Sequence, residues 1–193
     1  LKTAIENYIL ELKKITNLTK RNSEKLLMDL MNENKIDELS SFLNKIKNSF
    51  SECPTCFYLM ENNFCESCMS DKRDKSKICV VSNILDAKAI IDKDIFNGTF
   101  HILKGEIDLN KNVAPTDLKI SELFDRINNE NIEVIIALNA TFKGELTSNY
   151  LIQEIKSKNK KVSRLARGIP FGGVVNYIDR ETMDNAIKNR NKL

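Results

Sequence analysis

The chain has 193 residues, 41% hydrophobic and 30% charged, the balance of a soluble globular protein with room for one ordinary domain and a small module. No apolar run approaches the roughly 20 residues of a membrane span, and the mixed Lys, Glu and apolar residues from Leu1 to Leu12 do not read as a secretory signal. The formal net charge of +3 permits nucleic-acid binding without arguing for it, and Lys is abundant throughout, so position rather than number must identify a basic site.

From Leu1 to about Phe50 the periodicity is helical. Ile5, Tyr8, Ile9, Leu12 and Ile15 form one stripe, Leu26, Leu27, Leu30 and Met31 a second, and Ile36, Leu39, Phe42, Leu43, Ile46 and Phe50 a third. The polar stretch from Thr16 to Ser23, rich in residues that cap helices and tolerate turns, separates the first two. So short a helical region buries little surface alone and is expected to pack against a second copy of the chain.

Next comes a cysteine cluster. Two residues separate Cys53 from Cys56 and Cys65 from Cys68, and eight lie between the pairs. Two tight turns of this kind can present four thiolates to one ion, and four Cys ligands leave no position open for water, so a structural zinc is expected. Incidental loop cysteines and an iron–sulfur cluster are the alternatives. With an odd count of five Cys and no export signal, metal-bound thiolates in a reducing cytoplasm fit better than disulfides. Cys79 falls inside an apolar strand and is read as core.

Beyond Ile78 strands and helices alternate. Ile78 to Val81, Phe100 to Leu103, Val134 to Leu138 and Val162 to Ala166 read as strands. Ile84 to Asp92, a helix opened by Pro115 and capped near Thr116 or Asp117, and one carrying Leu146, Tyr150, Leu151 and Ile155 lie between them. Continuous apolar strands separated by amphipathic helices imply a parallel sheet covered on both faces. Function is then expected at the carboxyl ends of the strands: Ser82-Asn83, Asn139 to Glu145, and Arg167 to Gly173. His101, the only His, is read as a satisfied core residue.

The cysteine cluster, Ile78 to Val81, Gly144-Glu145 with Thr147 and Tyr150, the run Arg164-Leu165-Ala166-Arg167-Gly168-Ile169-Pro170-Phe171-Gly172-Gly173, and Tyr177-Ile178-Asp179 together resemble the bacterial RecR family. Phe100 to Gly105 is similar to another stretch of that family, with Lys104 where Gly is usual. The resemblance implies an α+β multi-module chain. A helix-hairpin-helix-like region spans residues 1–50 and a four-Cys zinc finger 51–76. An α/β Toprim domain with a mostly parallel sheet spans 77–168, and a C-terminal segment with a helix 169–193. It also implies a cytoplasmic, nucleoid-associated scaffold of recombinational repair that forms a ring-like tetramer around DNA. With RecO, and in some settings RecF, such a protein helps load RecA on strands coated by SSB.

Two departures bear on chemistry, one from catalytic Toprim enzymes, in which Ser82 departs from the RecR pattern as well, and one from the usual helix-hairpin-helix. Catalytic Toprim enzymes hold magnesium on a Glu, an Asp pair and a Glu-Gly-Glu run. Here those positions are Ser82, Asn139 with Thr141, and Lys143-Gly144-Glu145, so no catalytic residue is assigned. Glu145 is either a surface acid favoured by a helix N-terminus or part of the face that meets RecO. The hairpin glycines are Asn17 and Thr19, and only Asn readily tolerates a left-handed backbone. The basic positions fall on Arg21 and Lys25, four apart on one helix face, with Lys20 beside them, and are assigned to the DNA backbone. The Lys156, Lys158, Lys160 and Lys161 run reads as a solvated helix end. Asp179 has no phosphate-loop partner, so ATP hydrolysis is not inferred. A Toprim nuclease, primase or topoisomerase fragment and a protein-interaction scaffold without DNA binding are the rival readings.

Overall fold

The computed structural model describes residues 4–128 and 131–190. The first three residues of the helical region and the last three of the C-terminal segment lie outside the described residues. The chain divides into two compact units, Leu1–Ser51 and Glu52–Leu193. No described helix is long and apolar enough to cross a membrane.

The first unit holds helices α1 (Ala4–Thr16), α2 (Lys20–Asn32) and α3 (Ile36–Ser49). The polar stretch between the first two stripes is not a loop throughout. Thr19 caps α2, its hydroxyl accepting from the Asn22 amide at 3.2 Å, so Lys20 to Ser23 are already helical and the connection is only residues 17–19. Asn17 adopts φ 57°, the left-handed conformation expected of it, whereas Thr19 has φ −67° and needs no such tolerance. Much of the apolar stripe surface stays open: Tyr8 is 62% exposed, Ile15 76% and Phe42 56%, while α3 buries no residue fully.

The second unit contains the short strands β1 (whose residues Phe50–Glu52 straddle the unit boundary) and β2 (Leu59–Glu61), then the main sheet. Its strands are β3 (Asp74–Val81), β4 (Gly98–Ile102), β5 (Glu133–Ile136) and β6 (Lys161–Arg164), in the order β4-β3-β5-β6 and parallel throughout. The pleat explains the unbroken apolar run of β3. Ile78 and Val80 face a core with Val134, Ile136, Leu123, Ile127, Leu151 and Ile155, beneath α5 (Ile120–Arg126) and α6 (Phe142–Ser157). Cys79 and Val81 face a second core with Phe100, Ile102 and Ala87 of α4 (Ile84–Ile91). Burial pushes the Cys79 thiol up to about 12. Helix α7 (Arg180–Lys188) ends the described chain, opened by Asp179, whose carboxylate accepts from the Thr182 amide at 2.9 Å.

One expected element differs. Pro115–Asp117 is a separate 3-10 turn in which the Asp117 carboxylate accepts from the Ala114 amide, and α5 begins only at Ile120. Proline fixed the turn, and the buried side chains of Ile120 and Leu123 start the helix after it.

His101 is wholly buried, as expected. Its Nδ1 lies 3.0 Å from Arg126 Nη1, which has only protons to offer, so Nε2 carries the imidazole proton and donates to the Lys119 carbonyl at 2.6 Å. Burial lowers its pKa from 6.5 to about 4. A folded-state pKa below the unfolded value means protons favour the unfolded chain. The stability contribution of a neutral His101 is therefore complete above pH 6.5 and is lost as pH falls toward about 4. Thermal melts should show this decline, and His101→Gln should make it shallower; an unchanged acid profile would contradict the assignment.

Left-handed backbone is carried largely by asparagine. Asn17, Asn34, Asn62, Asn63, Asn112 and Asn159 all have φ between 49° and 64° and sit at turns or helix ends.

Candidate metal centre and strand-end cleft

The four paired cysteines converge. Their sulfurs all lie within 4.8 Å of one another, with Cys53 to Cys68 at 3.4 Å and Cys56 to Cys65 at 3.5 Å, and none is in a disulfide. Four sulfurs about 2.3 Å from a central ion stand about 3.8 Å apart, so these spacings fit one tetrahedral ion. An iron–sulfur cluster places its own irons and sulfides between the cysteines and spreads them further.

Local backbone produces this convergence. In the first turn the Phe57 amide donates to the Cys53 carbonyl at 2.9 Å and the Cys53 amide to the Tyr58 carbonyl at 2.8 Å, with Phe57 left-handed at φ 62°. In the second the Met69 amide donates to the Cys65 carbonyl at 2.9 Å. Cys53, Cys56 and Cys65 are fully buried. Hydrogen bonding from Cys56, with help from the backbone amides of Cys68 and Ser67, pulls the Cys65 thiol down to about 5. Burial, followed by pairing with Cys53 and Cys65, pushes Cys68 up to about 12. Buried thiolates that share no cation repel one another, and a divalent ion relieves that repulsion.

The strand ends form a cleft of about 860 Å³. Ser82, Asn139 and Lys143 line it, where the Toprim pattern would place acids. Four other acids stand in or beside it: Asp117, read from the sequence only as a helix cap, and three that sequence reasoning missed. Asp86 accepts from the Ser82 hydroxyl at 2.6 Å and from Asn83 Nδ2 at 2.9 Å. Asp108, nearly buried, is ion-paired with Lys143. Glu106 has a buried Oε1 with no hydrogen-bond partner among the described residues, and burial, with Asp86 nearby, raises its carboxyl above the usual range. Asp86 lies four residues beyond Ser82, one helical turn on, and that spacing was its only signal. Glu106 and Asp108 follow β4 in a loop that periodicity does not reach.

These acids do not converge. Among the described residues, the four cysteines are the one set of three or more His, Cys, Asp or Glu ligand atoms that lie close enough together to share an ion. Gly144 is required by close approach: a Cβ there would stand 2.0 Å from the Asn139 carbonyl oxygen and 3.2 Å from Glu106 Oε1. Lys104 adopts φ 64°, so the position usual for Gly does demand a left-handed residue, and its ammonium is ion-paired with Glu52.

Glu145 lies in the first turn of α6, as expected, and is not a free surface acid. Arg164 and Arg167 both bring a guanidinium nitrogen to its Oε1. The most family-specific run of the sequence thus begins by gripping α6. Arg21 and Lys25 are exposed on α2 and have no ion pair among the described residues, whereas Lys20 is paired with Glu6 at 2.8 Å. The Thr19 hydroxyl already occupies the Asn22 amide, one of the amides a bare hairpin would offer to phosphate. In the lysine run, Lys158 stands over the Phe124 ring at 5.2 Å and Lys160 donates to the Asn128 carbonyl at 3.0 Å.

Residues 76–166 match the family model described as Toprim domain, and residues 168–191 match the one described as RecR, C-terminal. The chain is 34% identical to "Recombination protein RecR" of Syntrophobacter fumaroxidans over 96% of its own length and 94% of that relative. It is 35% identical to the protein of the same name from Pelobacter propionicus, over 99% and 98%. A further relative of that name, from Phytoplasma mali, is 37% identical over 86% and 82%.

Proposed function

The chain belongs to the RecR family of recombination proteins, and from that premise we propose that it is a non-catalytic, zinc-bearing DNA-binding scaffold of recombinational repair. The observation that carries this reading is the strand-end cleft. Ser82, Asn139, Thr141 and Lys143 stand at acid positions of the Toprim pattern, and Asp108, an acid that could compensate, is taken by Lys143. A hard divalent cation needs several converging oxygens, and a lysine spent on one of them opposes binding further.

Purified protein should therefore leave supercoiled plasmid intact in magnesium or manganese. Nicking that disappears on Glu145→Ala would overturn the reading, because a contaminating nuclease would not depend on that residue.

In this reading the modules are bounded near residues 50, 76 and 168. Cys53, Cys56, Cys65 and Cys68 hold one zinc as a structural ion. Arg21 and Lys25 contact the DNA backbone, with Lys20 beside them, and the work is done in the cytoplasm at the nucleoid. Glu145, with its two arginines, belongs to the face that meets RecO, and RecF joins in some settings. The exposed stripes of the helical unit support self-association, since Tyr8, Ile15 and Phe42 would otherwise remain in water. Light scattering is expected to give a tetramer at tens of micromolar, and a monomer under those conditions would remove the ring.

A further inference from the structure

Among the described residues β4 is the edge strand of the sheet, since only β3 pairs with it. An edge strand leaves a row of amides and carbonyls without ladder partners, and proteins cover such rows. Here the cover is the cysteine module. The Phe100 amide donates to the Ser67 hydroxyl at 3.0 Å, and the Ile102 amide to the Cys56 carbonyl at 2.9 Å. These are alternate residues of β4, the two whose amides point outward together. Ser67 is fully buried between the ligands Cys65 and Cys68, and Cys56 is itself a ligand. Both acceptors are thus held in place by the loops that the ion closes.

Arg126 serves the same open edge. Its guanidinium donates to the Phe100 carbonyl at 2.7 Å and lies 3.0 Å from His101 Nδ1. Burial disfavours this cation, and the charges of Cys56, Cys68, Cys53 and Cys65 favour it.

We propose that the loaded four-Cys centre is the lock of the β4 edge: through Ser67 and the Cys56 carbonyl it fixes the strand, and with it the wall of the strand-end cleft. The wall follows from chain continuity. β4 runs directly into Lys104, Gly105 and Glu106, which line the cleft, and Phe57, pinned between Cys56 and Tyr58, lines it from the module side and meets the His101 ring edge-on at 5.5 Å. Metal occupancy then sets the shape of the cleft without the ion entering it. This inference rests on the reading of the cysteines as a zinc site.

Hydrogen exchange followed amide by amide on the full chain tests it, alongside zinc content. Ser67→Ala keeps all four ligands and removes one edge bond. It should retain one zinc per chain while the Phe100 amide exchanges about five to ten times faster, and the Val134 and Ile136 amides stay as they were. Adding a chelator to the parent should speed exchange at Phe100 and Ile102 by about a hundredfold or more. A zinc-loaded Ser67→Ala chain whose Phe100 amide is unchanged, or whose four strands all loosen equally, overturns the lock and leaves the zinc reading intact. Folded parent protein without zinc overturns both.

Discussion

Cys56→Ser is expected to lose the zinc and to lower the melting temperature of the second unit by more than about 10 °C, since each kcal/mol is worth about 2–4 °C in a chain of this size. The reasoning starts from how little else holds the module. Of the large apolar side chains between residues 53 and 68, Leu59 and Phe64 are exposed and Phe57 packs on the sheet, so the cluster around Cys53, Cys56 and Cys65 is completed only by Tyr58, Met60 and Cys68. A site that small draws on the order of 10 kcal/mol from its ion, more than its packing could replace. The loss would extend beyond the module, because the Cys56 carbonyl and the Ser67 hydroxyl are hydrogen-bonded to the sheet. Elemental analysis and a melting curve on the same preparation decide it. A shift of a degree or two with zinc gone would show that packing alone keeps the turns closed.

The second large effect concerns DNA. The double change Arg21→Ala with Lys25→Ala should weaken binding to every sequence alike. If each side chain meets one phosphate, the slope of log affinity against log salt should fall by about 1.4–1.8. Both residues are exposed and carry no ion pair among the described residues, so their removal should leave zinc content and oligomer mass unchanged. Lys20 is expected to contribute less, because Glu6 already holds its ammonium. Fluorescence anisotropy at several salt concentrations gives the slope directly. An unaltered slope would turn this face into ordinary solvated surface and move attention to Lys156 and its neighbours.

The fold was legible where one kind of force dominates. The strands at Ile78 and Val134 announce themselves because both faces of a covered parallel sheet are apolar, and the cysteine spacing is rigid enough to imply its own geometry. Legibility failed where a single hydrogen bond or a long-range pairing decides. Nothing in the polar run from Thr16 to Ser23 says that the cap is Thr19 and not Thr16. Pro115 signals a helix start equally well whether the helix continues or breaks after one turn. The grip of Arg164 and Arg167 on Glu145 joins residues about twenty positions apart, and the cleft acids Asp86, Glu106 and Asp108 come from two separate segments. Periodicity carries no information about which charges meet across such distances.

The asparagines at left-handed positions have a consequence for the chain before it folds. There are only 6 glycines in 193 residues, and six of the nine non-glycine left-handed sites among the described residues are Asn. Glycine would accept these conformations with less strain, but it would also give the unfolded chain more states to surrender. Asparagine reverses that exchange: it tolerates some local cost in the native turn and narrows the disordered ensemble. Replacing Asn34 or Asn159 with Gly should thus change stability very little in either direction, two opposing effects of a few tenths of a kcal/mol nearly cancelling. Alanine at the same sites would retain the strain without the side-chain amide that eases it. A chain poor in glycine can in this way keep its tight turns while beginning from a less disordered state.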